Sequence, residues 1–392
     1  MVTMDLWTLV SIVYTIGLSL ILFIFAFLTF FIGYGGHRAK NRYGAISTIV
    51  TGSCLIIFGL YNLFFRDSSH MGFFPYPYNG FMVWWVGIVL LINGVFVMII
   101  KLKMNKMDLQ VKNSSNSADI SKRKSGLRRY VEKMMIEDPY KEEIPFKMEL
   151  VRKSFHLMGI LVVIGYFGFF FLLPLTQLIS DGVIMLINQV EPAYELLWGD
   201  VSLFPYIIGE FQAVIDLTMM GLLGALIFAL ISDLFRILKG PEYSLLNFIS
   251  RSILRNKEKN ALGPQIYIMT GIVFSYMLYM AGIMHIRAFF AGILIACFSD
   301  AAAALIGRKY GKHKITLRSK DTKSVEGFIA GVVVAYIVGL IFVGPIYAII
   351  GALIFFLTDY FPAVTADNIL NPIFIPIGIQ LFILLLGLPV GW

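Results

Sequence analysis

Residues Ala296–Ile315 read "ACFSDAAAALIGRKYGKHKI". The first half is small and apolar, as the inside of a membrane helix requires, and the second half is a burst of lysine and arginine, as its end requires. The segment is therefore the end of a transmembrane helix. The exception within it is Asp300, a carboxylate set among apolar residues. An ionisable group inside a span is costly, and it marks a functional site by default.

The rest of the chain supports a membrane reading. Of 392 residues, 58% are hydrophobic and 14% charged, and the mean hydropathy is +0.80. That composition excludes a soluble globular protein and predicts an all-α polytopic membrane protein. Cys54 and Cys297 fall in apolar runs, so no disulfide framework is implied. No lysine or arginine precedes the first apolar run and no small-residue cleavage site follows it, so it reads as a retained helix. The net charge of +8 is a signature of topology rather than of a nucleic-acid partner.

A span needs about 20 apolar residues. Ten candidates follow: 11–33, 43–64, 81–100, 155–178, 211–238, 264–283, 287–306, 327–344, 345–361 and 372–390. The run around Gly344-Pro345 is nearly continuous, so the division there is the least marked. With the N-terminus outside, of the 32 Lys and Arg residues only Arg66 and Arg287 lie on the outer side. From Ser154 to Phe235 there is no Lys or Arg but there are seven acids. This asymmetry sets the orientation.

Three regions result: a three-span module at 1–100, a basic cytoplasmic linker at 101–148, and a seven-helix core at 149–392. Within the linker, Leu127, Tyr130, Val131, Met134 and Met135 recur at helical spacing among Arg128, Arg129 and Lys133. That pattern fits a helix lying on an anionic membrane surface or a solvated basic linker. On the outer side, "VIMLINQV" at 183–190 reads as an interfacial helix.

Polar residues gather near the cytoplasmic span ends. Glu149, Arg152, Lys153 and His156 share one helical face. Basic residues there also snorkel and mark topology, which Glu149 and His156 do not. Asp233 lies inside its span with Arg236 three residues on, as a buried ion pair or a functional carboxylate. Asp300, Ala303, Gly307 and Gly311 step by three, four and four and form one stripe. Such a stripe admits either another helix or a flat ligand. A basic loop follows and ends in Lys323, Glu326 and Gly327; Asp359, Asp367, Asn368, Asn371 and Pro372 come later on the same side. Carboxylates with Lys and Arg suit a Mg²⁺-bound polyphosphate. No His/Cys cluster suggests zinc, and no GxxxxGK[ST] loop is present.

These motifs resemble the CTP-dependent polyprenol kinase family, which includes dolichol kinase, phytol kinase and CTP-dependent diacylglycerol kinase. Asp300, Ala303, Gly307 and Gly311 match its D-x-x-A-x-x-x-G-x-x-x-G run, and Lys323, Glu326 and Gly327 match its K-K-T-x-E-G. "ELVRKSFH", "LRNKEKNALGPQIY" (with Arg255 and Glu258) and "TADNILNP" resemble three further segments in order. Ser299, Thr322 and Ser324 depart from the usual Gly, Lys and Thr, and the basic linker is longer.

The resemblance implies transfer of the γ-phosphoryl group of CTP to the hydroxyl of a membrane isoprenoid alcohol of the dolichol/polyprenol type. Asp300 and Asp367 would hold Mg²⁺. Arg152, Lys153 and Lys323 would contact phosphates, and Glu326 would orient Lys323 or a bound water. Ala303, Gly307, Gly311, Gly327 and Asn368 would line the nucleotide. Asp233 or His156 would accept the hydroxyl proton. The site would face the cytoplasm, in a plasma membrane or an endoplasmic reticulum. The alternatives are cytidylyl transfer giving a CDP-lipid, a kinase of phytol, geranylgeraniol or diacylglycerol, and, at greater distance, a transporter. A transporter would place ionisable groups at the midplane rather than at one face.

Overall fold

The computed structural model describes residues 6–66, 70–113, 130, 146–156, 173–208, 210–246, 260–316, 322–361 and 365–391. They are almost entirely helical. The elements are α1 (Leu6–Arg38), α2 (Arg42–Phe64), α3 (Tyr78–Asn113), α4 (Phe146–His156), α5 (Leu173–Gln189), α6 (Glu191–Trp198), α7 (Glu210–Leu238), α8 (Pro264–Met280) and α9 (Ile286–Tyr310). A small hairpin of β1 (Lys314–Thr316) and β2 (Thr322–Ser324) leads into α10 (Val325–Val343), α11 (Pro345–Tyr360) and α12 (Asp367–Leu386).

Seven of the ten expected spans (α1, α2, α3, α7, α9, α10 and α12) are helices long and apolar enough to cross a membrane. The protein is an all-α, multi-pass membrane protein. Helices α8 and α11, at 17 and 16 residues, fall short of that length. Most of the expected span 155–178 and the basic linker lie outside the described residues, as do Arg255 and Glu258. The apolar run at Gly344-Pro345 does divide. Gly344 takes φ +82° and Pro345 opens α11. A positive φ favours glycine, and proline lacks only an N–H that the first helical turn leaves unused.

Helix α12 is packed along much of its length. Pro376 has no N–H to offer the carbonyl of Pro372, one turn back. The hydroxyl of Ser275 on α8 donates to that carbonyl at 2.5 Å, so the freed acceptor is satisfied inside the bundle. Glycines permit the approach: a Cβ on Gly271 would lie 2.9 Å from the Ile369 carbonyl oxygen, and one on Gly292 would collide with Pro376.

The three-span module is hydrogen-bonded to the core. Thr48 on α2 bonds the Tyr267 hydroxyl at 3.1 Å and accepts from Leu262 N at 3.3 Å. Its neighbour Ser47 accepts from Ala366 N at 2.9 Å. On α3, the Trp85 indole donates to the Gly224 carbonyl of α7 at 3.0 Å, beside an apolar cavity of about 530 Å³ lined in part by Phe81, Met82, Leu217 and Phe228. Residues 183–189 of the expected interfacial stretch form the end of α5, with Met185 and Leu186 exposed. Beyond it, Trp198 packs against Tyr14, Tyr76, Phe81 and Trp84 and so fixes α6 on the module.

Candidate functional site

Three carboxylates converge from three helices. Asp300 comes from the middle of α9, Asp359 from the last turn of α11, and Asp367 from the first residue of α12. One oxygen of each lies within 4.8 Å of the others. Two lysines flank the group. Lys153 of α4 is buried and ion-paired with Asp300. Lys323 of β2 lies 2.5 Å from Asp359 Oδ1 and 3.1 Å from the Asp359 carbonyl. Burial works against the Lys323 charge, but the carboxylates of Asp359, Asp367 and Asp300 outweigh it and hold its pKa above the ordinary value.

The cluster has one carboxylate more than it has ammonium groups. Asp359 is 1% exposed, and its Oδ2 has no hydrogen-bond partner among the described residues. A buried carboxylate oxygen without a partner carries a large desolvation cost. Three hard oxygen donors from separate helices, one of them unsatisfied, fit Mg²⁺ or Mn²⁺ and not a thiolate-seeking ion.

Glu149 is fully buried, with Arg152 Nη2 at 2.6 Å and Arg308 Nη2 at 3.1 Å. It ties α4 to the end of α9 and sets Lys153 against Asp300. Arg152 is held by Glu149 and helps to brace α4 against α9.

The small-residue stripe of α9 meets α10. A Cβ on Gly327 would collide with the Ala303 carbonyl and with Gly307, and one on Gly307 would lie 2.7 Å from Ser324 Oγ and 3.3 Å from Gly327 Cα. Gly331 continues the seam against Ser299 and Ala303, and Gly311 closes it against Ser324. Of the two partners that such a stripe admits, the structure has the helix. Along the seam itself, Ala303, Gly307 and Gly311 are taken up by close contact with α10 and Ser324.

Glu326 pairs with His313 rather than with Lys323, the first of its two expected partners. It accepts from the ring Nδ1 and the backbone N of His313, at 2.7 and 3.2 Å. Together with the bond from Val325 N to the His313 carbonyl, this locks the start of β1 onto α10. It thus holds the hairpin that carries Lys323 rather than Lys323 itself. Asn368 donates its backbone N–H to Asp367 Oδ1 at 2.9 Å.

Asp233 is not among the converging carboxylates. It is 2% exposed; Arg236 bonds both its oxygens at 2.5 and 2.9 Å, and Gly263 N donates to Oδ2 at 2.8 Å. Arg236 in turn donates to the Ala261 carbonyl at 2.7 Å. This closed network anchors the turn before α8. His156 ends α4 three residues after Lys153.

Asp359 is the member of the cluster to which the sequence alone gives no role. Its signal is weaker than that of Asp300: a lone acid ending an apolar run, "LIFFLTDY", rather than one set inside it. Glu149 had an i,i+3 arginine, but nothing local announced Arg308. No family model, no curated protein and no solved structure matches this chain.

Proposed function

We propose that the protein transfers the γ-phosphoryl group of CTP to the hydroxyl of a membrane isoprenoid alcohol of the dolichol or polyprenol type, giving a polyprenyl monophosphate and CDP. The observation that carries the proposal is the convergence of Asp300, Asp359 and Asp367, with a buried oxygen lacking a partner, between Lys153 and Lys323. Phosphoryl transfer depends chiefly on positioning and on neutralising charge, and this set of groups supplies both.

Asp300, Asp359 and Asp367 would hold Mg²⁺, which when bound supplies charge neutralisation at the transferred group. Lys323 and Lys153 would contact phosphate oxygens, Lys153 through the N–H groups not given to Asp300. The alcohol oxygen forms the new P–O bond, the bond between the β–γ bridging oxygen and the γ-phosphorus breaks, and CDP leaves. With the Asp233 oxygens held by Arg236 and Gly263, the reading assigns the hydroxyl proton to His156 and leaves Asp233 to position the turn at Ala261–Gly263.

The lysine and arginine distribution further supports an outside N-terminus and a site facing the cytoplasm, where CTP meets an alcohol lying at headgroup level. The membrane is the plasma membrane in a prokaryote and the endoplasmic reticulum in a eukaryote.

Purified protein, CTP labelled at either the α or the γ position and a panel of lipid alcohols test this. Label from the γ position in a polyprenyl phosphate, with CDP released, is the expected result. Label from the α position in the lipid would make the protein a cytidylyltransferase. Transfer to diacylglycerol or phytol alone would move the substrate class, and flux of a solute across liposomes without turnover would end the enzyme reading.

A further inference from the structure

We infer that Lys323 is a displaceable stand-in for the divalent cation at Asp359. The cation enters at the carboxylate that the lysine now neutralises, and the displaced ammonium group becomes a ligand for phosphate. The second half of this statement rests on the nucleotide reading above; the first half does not.

The two lysines of the cluster differ in the way such an exchange requires. Lys153 has a 4% exposed side chain, on a helix braced to α9 through Glu149, Arg152 and Arg308. It is a fixed counter-ion for Asp300. Lys323 has a 32% exposed side chain on a three-residue strand. Its flexible four-carbon stem lets the ammonium group move without moving the backbone.

Asp359 shows the complementary need. One oxygen holds Lys323 at 2.5 Å while the other is buried with no partner among the described residues. An ammonium group engages one oxygen and leaves the second unsatisfied. A divalent cation draws several oxygen ligands at about 2.0–2.6 Å, and it gathers Asp300, Asp359 and Asp367 at once. A metal on the open oxygen would lie beside the ammonium group on the other, and repulsion between the two positive charges drives the lysine off.

Two oppositely directed effects follow. Removing the Lys323 charge removes the metal's competitor, and the same change removes a donor for polyphosphate. A lysine that merely held the hairpin in place would weaken both ligands together.

The test uses the full chain in nanodiscs with Mn²⁺ alone as probe, free Mn²⁺ being read by its electron paramagnetic resonance signal. In Lys323→Met, the Mn²⁺ dissociation constant is expected to fall roughly tenfold, the scale of a lost competing charge at a partly buried carboxylate. Lys323→Arg, which keeps the charge, stays within about twofold of the unaltered protein on the same grounds. Asp359→Asn in the Lys323→Met background abolishes the gain. Thermal melting without metal checks folding, and Mn²⁺ is expected to restore any melting temperature lost in Lys323→Met. Unchanged or weaker Mn²⁺ binding in Lys323→Met overturns the inference, as does a gain that survives Asp359→Asn. Tighter Mn²⁺ binding in Lys323→Met, with no CTP-dependent transfer by the unaltered protein, upholds the exchange and refutes the kinase reading alone.

Discussion

The Ser47 hydroxyl on α2 accepts a hydrogen bond from the backbone N–H of Ala366, 2.9 Å away and one residue before Asp367. The hydroxyl also donates to the Tyr43 carbonyl at 2.9 Å, which fixes its direction. The N-terminal module thus reaches through a buried serine to the start of the helix that carries one of the three converging carboxylates. One neutral hydrogen bond contributes about 1 kcal/mol. Ser47→Ala is therefore expected to weaken Mn²⁺ binding about fivefold, with Ser47→Thr restoring it. Equal affinity in the alanine variant would remove the module from the site.

Asp300 and Lys153 form a buried pair, so replacing one partner leaves the other uncompensated. Asp300→Asn is expected to abolish transfer and to cost about 3 kcal/mol of stability. The double variant Asp300→Asn, Lys153→Met should recover much of that stability and none of the activity. Melting curves and turnover on the same preparations check this; turnover in either variant would take Asp300 out of the chemistry.

The Asp233–Arg236 pair predicts a different pattern. Both side chains are almost fully buried, and both are spent on the turn at Ala261–Gly263. Arg236→Met should destabilise the protein by about 3 kcal/mol. In protein that remains folded, Asp233→Asn should leave the shape of the pH–rate profile unchanged while His156→Ala alters it. Loss of a limb of that profile in Asp233→Asn would return the proton-accepting role to Asp233.

The seam between α9 and α10 has little tolerance. Gly327→Leu would drive a side chain into the Ala303 carbonyl and Gly307. Overpacking of this kind typically costs 1–3 kcal/mol, roughly, and here it also displaces the hairpin carrying Lys323. Expression and melting temperature should both fall, and Phe328→Leu, in the next position but facing the Phe356 and Tyr360 rings, should be milder.

At the opposite end of α9, His285 caps the helix by accepting from Arg287 N through Nδ1 at 3.1 Å. Burial, followed by the Arg287 guanidinium, holds its pKa below the usual 6.5. The unfolded chain therefore binds the proton first, so the contribution of the cap is present above 6.5 and is lost as pH falls through the lowered folded value. His285→Asn keeps a cap acceptor without a titrating ring. It should flatten the decline in melting temperature on acidification, and an undiminished slope would assign that decline elsewhere.

The spans were legible because hydropathy acts over about 20 residues and needs no partner. The break at Gly344-Pro345 was legible as the weakest division, and glycine with proline made it. The stripe Ala303–Gly307–Gly311 was legible as a close-approach surface, but not what approaches, since Gly327 and Gly331 lie on another helix. The commitments of Arg152 to Glu149, of Asp233 to Gly263 and of Glu326 to His313 were hidden for a similar reason. Periodicity reports which face a residue occupies. It does not report which of several charged neighbours, far apart in sequence, that face will meet. Asp359 escaped because a single acid at a helix end looks like an ordinary boundary until α9 and α12 bring two more beside it.

The pairings of the cluster also carry an order in time. Lys153 precedes Asp300 in the chain, and Lys323 precedes Asp359. A ribosome therefore delivers each base before the acid that it will neutralise. When the helix bearing Asp300 leaves the translocon, its counter-ion is already at the membrane, and the same holds when α11 follows the hairpin. Carboxylates that would be expensive to insert alone arrive to waiting partners, so the arrangement that assembles the site also eases the biogenesis of the bundle.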